Sequence, residues 1–246
     1  MKKKIFYLLL MFFTGATFSV NAQIVRGALI GGVNLSQVDG DEIYGFRQVG
    51  ANVGGAAIIP FTEHWTLTLE TIYSMEGAKQ KAKNLGIWEH SYYDSIWINP
   101  YNDVDSFYLN GAYNLRLNYV RIPIVAHYVD KKFSLGGGVE YGRLVNVKEQ
   151  EHDIYNTDFI ADSAYNKNDL SILADVKFQI YKGIYLNVRY SYSLLKIRER
   201  TFRDVYNLRK TTNRKQYNNI LTLRLIWVIN DKGKTLQRQS KEVLPY

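Results

Sequence analysis

The sequence predicts an all-β fold, an eight-stranded antiparallel up-and-down β-barrel that spans a membrane. Three observations predict it. Hydrophobicity repeats every two residues along most of the chain. Short and long connections between the repeating segments alternate strictly. Charges of both signs fall near segment middles, on the face opposite the apolar one.

The 246 residues are 46% hydrophobic and 14% aromatic, with 20 Tyr, 4 Pro and no Cys. Such a chain is folded rather than disordered. The lack of Cys excludes a disulfide scaffold, a thiolate metal site and a cysteine nucleophile. A mean hydropathy of −0.24 excludes a bundle of membrane-spanning helices. The net charge of +8 suggests nucleic acid at first sight. The N-terminus argues otherwise. Lys2, Lys3 and Lys4 precede the apolar run Ile5 to Phe13, and small or polar residues follow to Val20-Asn21-Ala22. This is the layout of a secretory signal peptide over residues 1–22, the alternative being a retained single-span anchor. No Cys follows the cleavage point for lipid attachment. Removal of the segment takes away three lysines and no acid, so +8 becomes +5. A moderately basic exported chain is not expected to bind nucleic acid.

Eight strands are expected, at about 24–38, 46–60, 64–79, 114–129, 132–147, 168–181, 183–199 and 215–230. In the third, Trp65, Leu67, Leu69, Thr71, Tyr73 and Met75 alternate with Thr66, Thr68, Glu70, Ile72, Ser74 and Glu76. The sixth sets Leu170, Ile172, Ala174, Val176, Phe178 and Ile180 against Ser171, Asp175, Lys177 and Gln179. Ile184, Leu186, Val188, Tyr190 and Tyr192 oppose Asn187, Arg189, Ser191 and Ser193 in the seventh. The eighth sets Leu221, Leu223, Leu225, Trp227 and Ile229 against Thr222 and Arg224. Gly and Ala dilute the second and fifth, and Pro123 interrupts the fourth. Tight connections at 60–63, 130–131 and 182–183 alternate with longer ones at 39–45, 80–113, 148–167 and 200–214. All long loops then lie at one end of the sheet.

A soluble barrel of the lipocalin type also alternates, with its apolar face inward; a membrane barrel inverts this. Three features favour inversion. Mid-strand charges are mixed: Glu70, Arg121, Glu140, Asp175, Lys177, Arg189 and Arg224. Strands of about 14 residues exceed the ~9–11 that a tilted span requires. Aromatics gather at both strand ends, with Trp65, Tyr128, Phe133, Tyr181, Tyr185 and Trp227 near the short turns. Tyr73, Tyr141, Tyr192 and Tyr217 lie toward the long loops. Closure is then obligatory, because lipid offers an open edge no hydrogen bonds.

Several stretches resemble the PorT family of outer-membrane barrel proteins of Bacteroidota. They are Gly31-Gly32-Val33-Asn34-Leu35-Ser36, Leu69-Glu70-Thr71-Ile72-Tyr73-Ser74 with Gly77-Ala78-Lys79, and Leu117-Asn118-Tyr119-Val120-Arg121-Ile122-Pro123. The resemblance spans the exported chain and rests on strand patterns rather than catalytic residues. It implies an OmpA-like eight-stranded barrel. The founding member serves type IX secretion, so an accessory role in an envelope machine is what the resemblance implies.

Two constellations are candidate sites. Glu70, Arg121, Glu140, Asp175, Lys177, Arg189 and Arg224 form a lumenal set. It is either an ion path or, as pairing of buried charge favours, a structural network that plugs the barrel. The loop 80–113 concentrates Trp88, Tyr92, Tyr93, Trp97, Tyr101, Phe107, Tyr108 and Tyr113. These aromatics either form a surface for a protein or glycan or pack on one another in an extended hairpin. Loop 148–167 is largely acidic and loop 200–214 largely basic, able to meet lipopolysaccharide phosphates. His64, His90, His127 and His152 sit in turns, loops or at a strand end, away from any outer-rim Ser, so no enzyme is expected. Gly136-Gly137-Gly138 lacks the continuation of a phosphate loop. Asn34-Leu35-Ser36 matches a glycosylation sequon by coincidence. No metal or other cofactor is expected. Residues 23–230 then form the barrel and 231–246 a short periplasmic tail, too short for a peptidoglycan-binding domain.

The expected place is the outer membrane of a Gram-negative bacterium, with long loops extracellular and both termini periplasmic. The expected partners are outer-membrane lipids and lipopolysaccharide, the barrel insertion machinery, and an envelope protein. The expected role is structural or interactive, the alternative being a small gated pore or transporter.

Overall fold

The computed structural model describes residues 25–41, 43, 45–81, 93–94, 112–151, 154–155, 164–203 and 211–229. The strands are β1 (Arg26–Asp39), β2 (Gln48–Pro60), β3 (Trp65–Gln80), β4 (Tyr93–Asp94), β5 (Tyr113–Asp130), β6 (Phe133–Glu151), β7 (Ile154–Tyr155), β8 (Asn168–Tyr181), β9 (Ile184–Ser193), β10 (Arg198–Arg203) and β11 (Thr211–Val228). Eight of them form an antiparallel ring in the order β1-β2-β3-β5-β6-β8-β9-β11. Pairing of β11 with β1, from Ala28 opposite Val228 to Asp39 opposite Tyr217, closes it. β4, β7 and β10 lie off the ring; β10 pairs with the long-loop end of β11 and with β4.

The short turns use residues suited to them. Lys131 (φ 50°) and Gly183 (φ 71°) supply the left-handed conformation that two-residue hairpins need. Pro123 does not end its strand: β5 runs through it, with Glu140 of β6 opposite. On the other side, pairing with β3 skips from Leu69–Ile124 to Ile72–Arg121. That gap is where a residue without an N–H sits.

The apolar face points outward, so the lipocalin-type alternative is excluded. Leu29, Val33, Val53, Leu69, Ile122, Ile124, Leu135, Val139, Ile172, Val176, Val188, Leu223 and Leu225 are exposed on the ring's exterior. On β5 the outward apolar run extends from Val120 to Tyr128. At ~3.4 Å per residue and ~40° tilt it makes a band roughly 20–25 Å tall. Trp65 packs edge-on against Tyr128, and Phe133 against Phe178, at the short-turn edge of this band. Tyr192 stacks on Tyr217 at the other.

One predicted girdle residue does not belong there. Tyr185 is buried against Ile30, Ile226 and Val228 in an apolar cluster at the short-turn end of the lumen. Its parity, shared with Asn187 and Arg189, dictates this. The predicted single strand 183–199 is also interrupted. β9 ends at Ser193, the exposed pair Leu194 and Leu195 breaks the alternation, and β10 begins at Arg198.

The interior is layered. Ala28, Ile30, Ile58, Ile72, Val129, Tyr185, Ile226 and Val228 form one apolar cluster, mostly toward the short turns. Val38, Leu115, Leu117, Tyr119, Leu144, Val147, Tyr165 and Ile197 belong to a second, toward the long loops. Polar and charged side chains fill the lumen between them. Above Val120 the polarity of β5 reverses: Tyr113, Leu115, Leu117 and Tyr119 point inward, and the exposed Arg116 outward. An irregularity between Asn118 and Tyr119, which leaves Val145 of β6 without a partner, marks the transition.

Candidate functional site

The strands' alternation delivers ionisable groups to the lumen from six ring strands. β3 contributes Glu70 and Glu76, β5 Arg121 and His127, and β6 Glu140. β8 contributes Asp169, Asp175 and Lys177, β9 Arg189 and β11 Arg224. All are buried. The seven residues singled out in the sequence all lie in this layer.

Two groups can be distinguished. In the first, Arg121 donates Nε and Nη2 to the two oxygens of Glu76 at 2.5 and 2.6 Å, a planar fork on a carboxylate. Its Nη1 reaches Glu140 at 3.0 Å and Nη2 reaches Asp169 at 2.9 Å. The Tyr119 ring lies 4.5 Å from the guanidinium carbon. In the second group, Glu70 accepts from Arg189 Nη1 and Nη2 at 2.9 and 2.8 Å and from Arg224 Nη1 at 2.8 Å. Asp175 accepts from Arg189 Nη2 at 2.8 Å and lies 2.9 Å from His127 Nε2. Lys177 occupies the same layer, attracted by Asp175 and Glu70. Glu140 stands 4.0 Å from Arg189 and links the two groups.

Burying such charges costs several kcal/mol per ion, which only multiple partners can offset. The network meets that condition by joining residues remote in sequence: Arg224 and Glu70 are 154 positions apart. The bonds of Glu70 on β3 to Arg189 on β9 and to Arg224 on β11 brace the ring across its interior, while pairs such as Asp175–Arg189 tie adjacent strands. Glycine makes room for it. A Cβ on Gly136 would lie 2.4 Å from His127 Cδ2 and 2.7 Å from Asp175 Oδ1, and one on Gly142 2.9 Å from Arg121 Nη1. Replacing either hydrogen displaces an ion-pair member.

Four participants were not picked out from the sequence. Glu76 and Asp169 share parity with chosen residues but lie nearer strand ends. His127, expected at a strand end, is fully buried between Asp175 and Thr68 Oγ1 (3.2 Å). Thr68, His127 and Asp175 thus stand in the order of a hydrolytic triad, but all three are sealed in the lumen and Asp175 is committed to Arg189, so no substrate reaches them. Asn34, noted for its sequon and within a PorT-like stretch but not as a network member, is a hub. It donates to Ser74 Oγ at 2.8 Å and Met75 O at 2.9 Å, and accepts from Asn52 at 3.2 Å and Thr222 at 2.9 Å. It ties β1, β2, β3 and β11 together across the closing seam. The signal for all four was inward parity.

A further polar cluster lies above the outward band, at the long-loop end. Arg198 donates to Glu149 at 2.9 Å, to Gln216 at 2.8 Å and to Tyr113 Oη at 3.2 Å, and sits 4.4 Å over the Tyr165 ring. Burial works against the Glu149 carboxylate, yet Arg198 and the hydrogen bonds of Arg198 and Tyr113 hold it below its ordinary range. Asp41 differs. Burial pushes its carboxyl up to about 7, against the pull of the Ile43 N–H and of Arg198 and Arg200.

Of the predicted aromatic surface, Trp88, Tyr92, Trp97, Tyr101, Phe107 and Tyr108 lie outside the described residues. Tyr93 is described only through its backbone pairing with Arg203. Tyr113 is buried on Glu149 rather than displayed. Among the described residues, no three His, Asp or Glu side chains are placed to hold a metal ion.

No curated protein sequence matches the chain. Among solved structures it is similar to Ail, the attachment invasion locus protein of Yersinia pestis, at 12% identity and a TM-score of 0.40, covering 82% of this chain and 99% of that one. It is similar to Neisserial surface protein A at 7% identity and a TM-score of 0.44, covering 82% and 96%. A major outer membrane protein of Thermus thermophilus gives 11% identity and a TM-score of 0.43, covering 84% and 100%. The sequence itself matches the family described as outer membrane protein beta-barrel domain over residues 14–199, and the chain belongs to that family of outer-membrane β-barrels.

Proposed function

We propose that this chain is a closed, non-catalytic outer-membrane barrel with a structural or protein-interaction role. A signal peptide at 1–22 would export it. The long loops would face the exterior, and both termini, including the tail 231–246, the periplasm. The observation that carries this reading is the interior: a layer of mutually paired charges between two apolar clusters. A cavity in that layer, lined by Asn52, Ser74, Glu76, Arg121 and Arg224 among others, has room for about one water. Such a lumen braces a wall rather than passing solutes, and it leaves the loops to carry any specificity.

The resemblance to PorT-like barrels of Bacteroidota supports a place beside a larger envelope or secretion machine. The aromatic loop 80–113 is the surface we assign to that partner. Planar-bilayer recording of the purified protein tests the closed lumen. Baseline current is expected, and a stable, large conductance would establish the gated-pore alternative instead.

A further inference from the structure

Rows of outward side chains just above the apolar band differ between two parts of the wall. On the β10–β11 side, Glu199 stands opposite Lys215, and Lys196 pairs with Glu199 at 2.6 Å. Opposite charges face one another there, the arrangement that stabilises cross-strand pairs. On the β5–β6 side, Arg116 stands directly opposite Lys148, and both are exposed. A like-charge pair with Cβ atoms ~5 Å apart is unfavourable by itself. Lys79 of β3 lies one outward row farther up, beside Asn114, and Arg143 of β6 lies at the band edge beside Val120. Both are exposed. Arg143 donates to the neutral Asn168 at 2.6 Å, and none of the four has a carboxylate partner among the described residues.

Four cations on adjoining strands, set where the apolar exterior ends, match an anion at the lipid–water boundary. We infer that Lys79, Arg116, Arg143 and Lys148 form a docking strip for the phosphate monoesters of a glycolipid in the outer leaflet. The Arg116–Lys148 pair grips one phosphate between them. The acyl chains lie along the apolar column Val120, Ile122 and Ile124 beneath. A phosphate monoester fits this strip better than a phosphodiester, because its higher charge answers several cations at once and its free oxygens accept a guanidinium fork. The site is on the strands themselves, apart from the basic loop 200–214. It rests on the reading that the long-loop end faces the outer leaflet.

The test uses the full chain purified in detergent, with native mass spectrometry reading bound lipid. The probes are bisphosphorylated lipid A, its dephosphorylated form and phosphatidylglycerol. The wild type should retain bisphosphorylated lipid A about ten-fold better than either of the others. Arg116→Gln with Lys148→Gln should abolish that preference. Lys132→Gln with Lys182→Gln, at the opposite end, should keep it. Lys148→Glu gives Arg116 an opposite charge across the strands, so it should fold at least as well and still lose the lipid. Heat-modifiable gel migration reports folding for each variant. Equal retention of the three lipids by the wild type, or undiminished retention by folded Lys148→Glu, overturns the proposal. Binding in detergent is independent of conductance and of orientation in the cell, so its failure is distinguishable from failure of the functional reading.

Discussion

Along β5 one wall serves two media, and the two halves are built on opposite rules. From Val120 to Tyr128 the exterior is apolar and the interior holds Arg121 and His127. From Tyr113 to Tyr119 the interior holds Leu115 and Leu117, while Arg116 faces out. The lower half has no hydrophobic driving force toward its own lumen, because lipid is as apolar as any core. It coheres through ion pairs and hydrogen bonds that have nowhere else to go. The upper half stands in water and coheres like a small soluble protein, by removing Leu and Val from solvent. The level at which the pattern reverses locates the membrane surface without reference to any girdle.

This contrast can be broken from either side. The largest effect is expected from Glu70→Gln. It leaves Arg189 and Arg224 without their shared carboxylate in a dry lumen, at a cost of ~3–5 kcal/mol. Urea titration of the lipid-reconstituted barrel should show the midpoint collapse; an unchanged midpoint would mean that the lumen is hydrated. Leu117→Ala, in the upper half, should cost ~2–4 kcal/mol by the loss of buried surface and the cavity left. Heat-modifiable migration should survive it, since the membrane-embedded bracing is untouched. A parallel loss of both signals would show that the two halves fold as one unit.

The smallest effect concerns Asp41. Its carboxyl titrates near 7 in the folded chain against an ordinary value of 3.8. The folded form therefore holds the proton more tightly. The resulting stability is fully present below pH ~4 and is lost as pH rises through ~7. Thermal midpoints measured in detergent should fall modestly from pH 5 to pH 8, and Asp41→Asn should flatten that slope.

Much of this was legible in the sequence because period two assigns each residue a side. Glu70, Arg121, Asp175, Arg189 and Arg224 follow from parity alone. Parity also turns Tyr185, Glu76 and Asp169 inward; they are misassigned or passed over when position along the strand is weighed more heavily than side. The reversal at 113–119 was not legible. Alternation separates two faces without saying which medium each meets, and Leu115 looks the same whether it faces lipid or a capped lumen. The break at Leu194–Leu195 was visible as two consecutive apolar residues. Which cation meets which acid was not legible, since partners such as Glu70 and Arg224 become neighbours only when the ring closes.

That closure has a consequence for how the molecule is made. The seam joins Ala28 to Val228, the first ring strand to the last. While β11 is still missing, β1 and β9 each carry a row of amide groups with no neighbour, in a solvent that offers none. Seven strands are therefore not most of a barrel but a sheet with two open borders, and Glu70 still lacks Arg224. Entry into the bilayer cannot proceed one strand at a time. It has to wait for the whole chain, so that pairing of β11 with β1 closes both borders together.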